Sequence, residues 1–120
     1  MILADTSVWI DHFRRPDRRL DRYLDVGDIL MHPFILGELA LGFAPRHSRA
    51  FSLLSNLPLA VVATPDEVLA FIEAFRLAGA GIGYVDTHLL ASARLTPRAV
   101  VLTHDRSLAT VASRLGLGPA

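Results

Sequence analysis

Short apolar runs alternate with helical segments along this whole chain, and that alternation leaves few folds open. Ile2-Leu3-Ala4, Ile29-Leu30-Met31, Leu59 to Ala63 and Val100-Val101-Leu102 are apolar at successive positions rather than at every second one. A strand apolar on both sides of its pleat is covered on both faces. Between the runs lie segments of helical character. Thr6 to Phe13 sets Trp9 and Phe13 one turn apart, and Pro16 breaks it. Asp17 to Val26 is closed by Gly27, and Pro33 suits the first turn of a helix reaching about Phe43. Arg46 to Leu57 is another. Thr64-Pro65-Asp66-Glu67 has the form of a capping box and starts a helix that runs to about Ala78. Gly79, Gly81 and Gly83 make a flexible connection, Asp86 to Leu95 is helical up to Pro97, and Asp105 to Leu115 is stopped by Gly116. A fifth, weak edge strand falls near Leu117. The pattern predicts an α/β fold around a parallel sheet, as one domain over residues 1–120.

Composition narrows the chemistry. With 52% apolar residues and a formal net charge of zero, the chain can bury a core and is not of disordered type. It has no cysteine, which excludes a disulfide framework, a thiolate metal site and a cysteine nucleophile. All 12 basic residues are arginine, so no step can use a lysine ammonium. The balanced charge argues against an indiscriminate nucleic-acid binder, while leaving room for a local patch. The start Met-Ile-Leu-Ala-Asp does not read as a signal peptide, and no stretch is apolar enough to span a bilayer. The expected location is therefore the cytoplasm.

Such a fold does its chemistry beyond the carboxyl ends of its strands, where two of four candidate acids stand. Asp5 closes the first run, and Asp105 follows Val100-Val101-Leu102-Thr103-His104. Glu38 interrupts a helix otherwise made of Phe34, Ile35, Leu36, Leu39 and Leu41, and Asp86 follows the glycine-rich connection. Each has an ordinary alternative. Asp is a favoured N-cap, and Asp5, Asp86 and Asp105 all stand at expected helix starts. Glu38 could equally be solvated. Taken together, four carboxylates in one cleft repel one another unless a hard divalent cation joins them. Such an ion activates water and offsets charge on phosphate oxygens.

These segments resemble the PIN-domain ribonucleases, and among them the VapC toxins of bacterial toxin–antitoxin pairs. The resemblance covers nearly the whole chain. It is carried by Asp5-Thr6-Ser7-Val8-Trp9-Ile10-Asp11, by Leu36-Gly37-Glu38-Leu39-Ala40-Leu41-Gly42 and by Leu102-Thr103-His104-Asp105-Arg106-Ser107-Leu108. The most specific match is Gly83-Tyr84-Val85-Asp86-Thr87-His88-Leu89-Leu90-Ala91-Ser92-Ala93. The resemblance implies a three-layer α/β/α fold with a five-stranded parallel sheet in the order 3-2-1-4-5. It implies that Asp5, Glu38, Asp86 and Asp105 hold Mg²⁺ or Mn²⁺ and that RNA is hydrolysed by metal-activated water, the 3′ oxygen leaving. Thr6, Ser7 and Thr103 would orient acids or water, or act as caps. The implied partners are RNA, a VapB-type antitoxin whose C-terminal segment fills the acidic groove, and a second copy of the chain. The apolar excess on the helix after Pro65 (Val68, Leu69, Phe71, Ile72, Phe75, Leu77) would suit self-association.

Arg14, Arg18 and Arg22 form a stripe with Arg15 and Arg19 beside it, parallel to Asp17, Asp21 and Asp25. It reads either as a solvated helix laced with ion pairs or as a contact for RNA or antitoxin. The five histidines lack ligand spacing. Two rivals share the architecture. A phospho-receiver would need an acidic pair after the first strand and a lysine near the last, and a phosphoryl hydrolase would need Asp-x-Asp where this chain has Asp5-Thr6-Ser7. A third reading keeps the scaffold and makes it a non-catalytic RNA binder.

Overall fold

The computed structural model describes residues 1–119. In chain order its elements are β1 (Ile2–Ala4), α1 (Thr6–Arg14), α2 (Arg18–Asp25), β2 (Ile29–Leu30), α3 (Pro33–Gly42), α4 (Arg49–Ser55), α5 (Pro65–Ala74), α6 (Tyr84–Leu95), β3 (Val100–Leu102) and α7 (Arg106–Arg114). β1 is the central strand, pairing in parallel with β2 on one side and β3 on the other. Leu3 lies opposite Leu30 and Val101, and Ala4 lies opposite Leu102. Successive strand side chains point to opposite faces, and all three β1 residues are buried, so the sheet is covered on both sides as its unbroken apolar runs predict.

The sheet has three strands among the described residues, not five. At the expected third strand, Leu59 to Ala63, only a single parallel bridge forms, between Met31 and Leu59. The next amides turn elsewhere. The Val61 N–H donates to Thr96 Oγ1 (2.8 Å) and the Ala63 N–H to Ser92 Oγ (3.1 Å), on the side away from β2; the ladder itself stops because its next donor would be Pro33, which has no N–H and opens α3. Near Leu117 one backbone bond forms, from Val101 N–H to the Leu117 carbonyl (2.7 Å). Gly116 before it adopts a left-handed φ of 72°, and Pro119 after it has no N–H to donate.

Helix starts follow local chemistry. Asp5 caps α1, Ser48 caps α4, and Thr64 with Glu67 makes the reciprocal capping box of α5. α5 ends at Ala74 rather than Ala78, and Arg76 two residues on has a left-handed φ of 53°. α6 begins at Tyr84, not Asp86. Its N-cap is Gly83, with no side-chain cap bond, so Asp86 sits inside the first turn. No helix among the described residues is long and apolar enough to cross a membrane.

Candidate active site

β1 and β3 run side by side in the same direction, so their carboxyl ends share one rim. Asp5 leaves β1 there, its N–H donating to the Leu102 carbonyl at 3.0 Å. Its side chain is buried and held by three donors. Oδ1 accepts from Ser7 Oγ (2.5 Å) and the Val8 N–H (3.3 Å), and Oδ2 accepts from Thr103 Oγ1 (2.5 Å). The two hydroxyls also fix the loop after β3. Ser7 Oγ accepts the His104 N–H and Thr103 Oγ1 accepts the Asp105 N–H, both at 3.0 Å. One small network therefore locks the start of α1 to the approach to α7.

Asp105 is exposed and caps α7 through Oδ1, which accepts the Leu108 N–H at 2.9 Å; its other oxygen accepts no hydrogen bond among the described residues. Glu38 projects from the middle of α3, exposed, and its Oε1 accepts from Thr6 Oγ1 at 2.8 Å. Asp86 is half-buried in the first turn of α6. Burial raises its carboxyl pKa above the ordinary value, the charges of Asp5, Asp105 and Glu38 raise it further, and only the Gly83 backbone opposes them. All four acids thus share one electrostatic neighbourhood, although they come from four separate stretches of chain.

Capping and convergence turn out to be compatible. Asp5 and Asp105 do cap helices, each through Oδ1, whereas Asp86 does not cap α6. No three Asp, Glu or His side chains among the described residues are gathered into a ready-made metal cage. The like charges press on Asp86 without drawing their oxygens together. This donor set still suits a hard cation. It is all oxygen, it carries a large excess of negative charge, and Mg²⁺ typically keeps several waters rather than requiring a cage made wholly of protein.

The three hydroxyl residues of the sequence reading, Thr6, Ser7 and Thr103, each donate to one of the acids. Sequence reasoning missed Asp11, whose Oδ2 lies 2.5 Å from His104 Nδ1 with both side chains partly exposed. Its position one helical turn after Ser7 was the available signal. It also missed the aromatic surround of His88. That buried ring has Phe34 and Tyr84 each at 4.7 Å between centroids, and Phe34 lines an open apolar groove with Glu38, Leu41 and Val85. Trp9 is a core residue, only 2% exposed, while Phe13 stacks on Phe43 near the surface.

Residues 2–113 match the PIN domain family. The chain is also similar to Ribonuclease VapC32 of Mycobacterium tuberculosis, strain CDC 1551 / Oshkosh, with 41% identity over 120 residues, spanning 100% of this chain and 97% of that protein. Ribonuclease VapC32 of strain ATCC 25618 / H37Rv matches at the same 41% over the same 120 residues, with the same 97% coverage.

Proposed function

Because this chain belongs to the PIN-domain family, we propose that it is an endoribonuclease, the toxin of a type II toxin–antitoxin pair, and that Asp5, Glu38, Asp86 and Asp105 hold the divalent cation its hydrolysis needs. The observation that carries the reading is the rim between β1 and β3, where one hydroxyl network orients Asp5 beside Asp105 and three carboxylates act on Asp86. The cation is Mg²⁺ or Mn²⁺, and when bound it lowers the pKa of water and offsets negative charge on the scissile phosphate.

The chain's own residues do the rest. Asp5 supplies a carboxylate whose rotation is prevented by Ser7, Val8 and Thr103. Asp86 supplies a carboxylate held at high energy by its neighbours, and neutralising that charge is what makes binding of a cation favourable there. Glu38, tethered by Thr6, and Asp105, with one oxygen unbonded, close the cleft from α3 and α7. Water attacking phosphorus in line would form the new P–O bond as the P–O3′ bond breaks, the 3′ oxygen leaving protonated as a hydroxyl on the upstream fragment and the phosphate remaining on the 5′ end of the downstream one.

The reading extends to partners. A VapB-type antitoxin fills the same acidic groove and blocks RNA, and two copies of the chain associate, with exposed Leu69 on α5 available to such a contact. The whole chain acts as a single PIN domain, three-layered around its parallel sheet, in the cytoplasm. The test is incubation of the purified protein with a pool of total RNA in Mg²⁺, Mn²⁺ or chelator, followed by mapping of the ends. Discrete cuts that vanish in chelator are expected. RNA bound but uncut in either metal would make this a non-catalytic RNA binder.

A further inference from the structure

The arginine stripe has no role in the cleft, and its state differs from that of an ion-paired surface helix. Arg14, Arg15, Arg18, Arg19 and Arg22 are all exposed, and none lies within bridging distance of a carboxylate among the described residues. Three of the neighbouring acids, Asp11, Asp17 and Asp21, are engaged elsewhere. Asp17 caps α2 by accepting the Arg19 and Leu20 N–H groups, Asp21 faces His12 Nε2 at 3.7 Å, and Asp11 is held by His104. His12 also accepts the Asp17 N–H through Nδ1 at 3.0 Å, which latches the last turn of α1 to the start of α2. Two of the arginines are pre-positioned on aromatic faces. Arg14 lies over Phe43 at 5.9 Å, and Arg19 lies over Tyr23 at 5.8 Å while its Nε donates to the Tyr23 hydroxyl. The chain's net charge is zero, yet five of its 12 basic residues fall between positions 14 and 22, against two acids there, Asp17 and Asp21.

α1 connects this patch to the acids. Ser7, bonded to Asp5, stands one turn before Asp11 and two turns before Arg14 on the same helix face. At 1.5 Å per residue the helix carries the chain about 13 Å from the rim to the arginines. We propose that these five arginines hold the phosphate backbone of a single RNA strand on one side of the cut, so that the strand leaves the cleft along α1. The proposal rests on the ribonuclease reading for where the strand starts. The chemistry of the patch supports it separately: exposed guanidiniums without carboxylate partners match phosphate oxygens, and aromatic stacking lowers the entropy of ordering them.

The test uses the full chain carrying Asp86→Asn, so that RNA stays whole in Mg²⁺, with a fluorescein-labelled single-stranded RNA of mixed sequence as probe. Binding is followed as salt is raised. Adding Arg14→Gln, Arg18→Gln and Arg22→Gln together should flatten the slope of log affinity against log salt by about 2, at about 0.7 per lost phosphate contact on a single strand. The matching Arg→Lys triple should keep most of the slope. In the otherwise unaltered chain, the Gln triple should raise KM for a long RNA while leaving kcat and cleavage of a dinucleotide unchanged. An unchanged salt slope with an unchanged KM overturns the proposal. So does a Gln triple that binds RNA normally but loses the antitoxin, which would assign the patch to a protein. Failure of the ribonuclease reading looks different: the parent chain then cuts nothing in any metal, while the binding slopes can still be read.

Discussion

At Asp86 a half-buried setting and three neighbouring carboxylates oppose the negative charge. Its folded-state pKa lies above that of the unfolded chain, so the folded chain binds this proton more tightly. The stability linked to the group is therefore greatest in acid, falls as pH rises from the ordinary carboxylate value through the raised one, and stays reduced at neutral pH. Asp86→Asn should raise the melting temperature in chelator at neutral pH, by a margin that shrinks in acid. Mg²⁺ should stabilise the parent and not the variant, and the variant should lose cation-dependent cleavage. Calorimetric scans with and without Mg²⁺ check both expectations. Asp5→Asn should also abolish cleavage but is a less clean probe, because its carboxylate accepts from two hydroxyls and a backbone N–H. Thr103 orients that carboxylate from outside. Thr103→Val should lower activity about 10–100-fold, the usual cost of losing a supporting hydrogen bond at a metal site. Thr103→Ser should recover most of it, with both read as initial cleavage rates.

Among the elements, α6 ties together the starts of α3 and α5 through buried hydrogen bonds. Ser92 Oγ meets His32 Nε2 and the Ala63 N–H, both at 3.1 Å, while His32 Nδ1 accepts the Phe34 N–H at the start of α3. Since Nδ1 is an acceptor, the ring proton sits on Nε2 and points at Ser92. Burial and the nearby charge of His88 lower the His32 pKa from 6.5 to about 4. A histidine whose folded pKa is depressed contributes stability that is complete above pH 6.5 and is lost as pH falls toward about 4. Ser92→Ala strips a partner from two buried donors and should cost about 2 kcal/mol, read by urea unfolding at neutral pH. This seam also explains what the sequence concealed. The apolar runs of β1, β2 and β3, and the places of Asp5 and Asp105 just past two of them, were legible, because continuous hydrophobicity and a following helix are local signals. The run at Leu59 to Ala63 looks as strand-like as the others, but the residue its ladder would meet next is Pro33, which has no N–H and opens α3, and nothing local to the run announces that partner. Asp86 looked like an N-cap for the same reason: its residue type fits the role, and only the fold shows Gly83 filling it.

At the scale of the whole molecule, a chain of zero net charge separates its charges in space, with four acids that share one electrostatic neighbourhood and, among the described residues, arginines without carboxylate partners from the end of α1 through α2. Metal removal should therefore silence cleavage without unfolding the chain, and added Mg²⁺ should restore it. Because Asp86 must ionise to accept a cation and its neighbours raise its pKa, protons and Mg²⁺ should compete there, so that raising Mg²⁺ moves the acid limb of the pH–rate profile to lower pH. The four carboxylates can be tested together by titrating ¹⁵N-labelled protein with substoichiometric Mn²⁺ and following paramagnetic loss of amide signals. Shared binding predicts that the amides around Asp5, Glu38, Asp86 and Asp105 fade in step at the lowest Mn²⁺ ratios while those of α2 and α4 persist. Fading at only one of the four segments, or evenly over the chain, would contradict it.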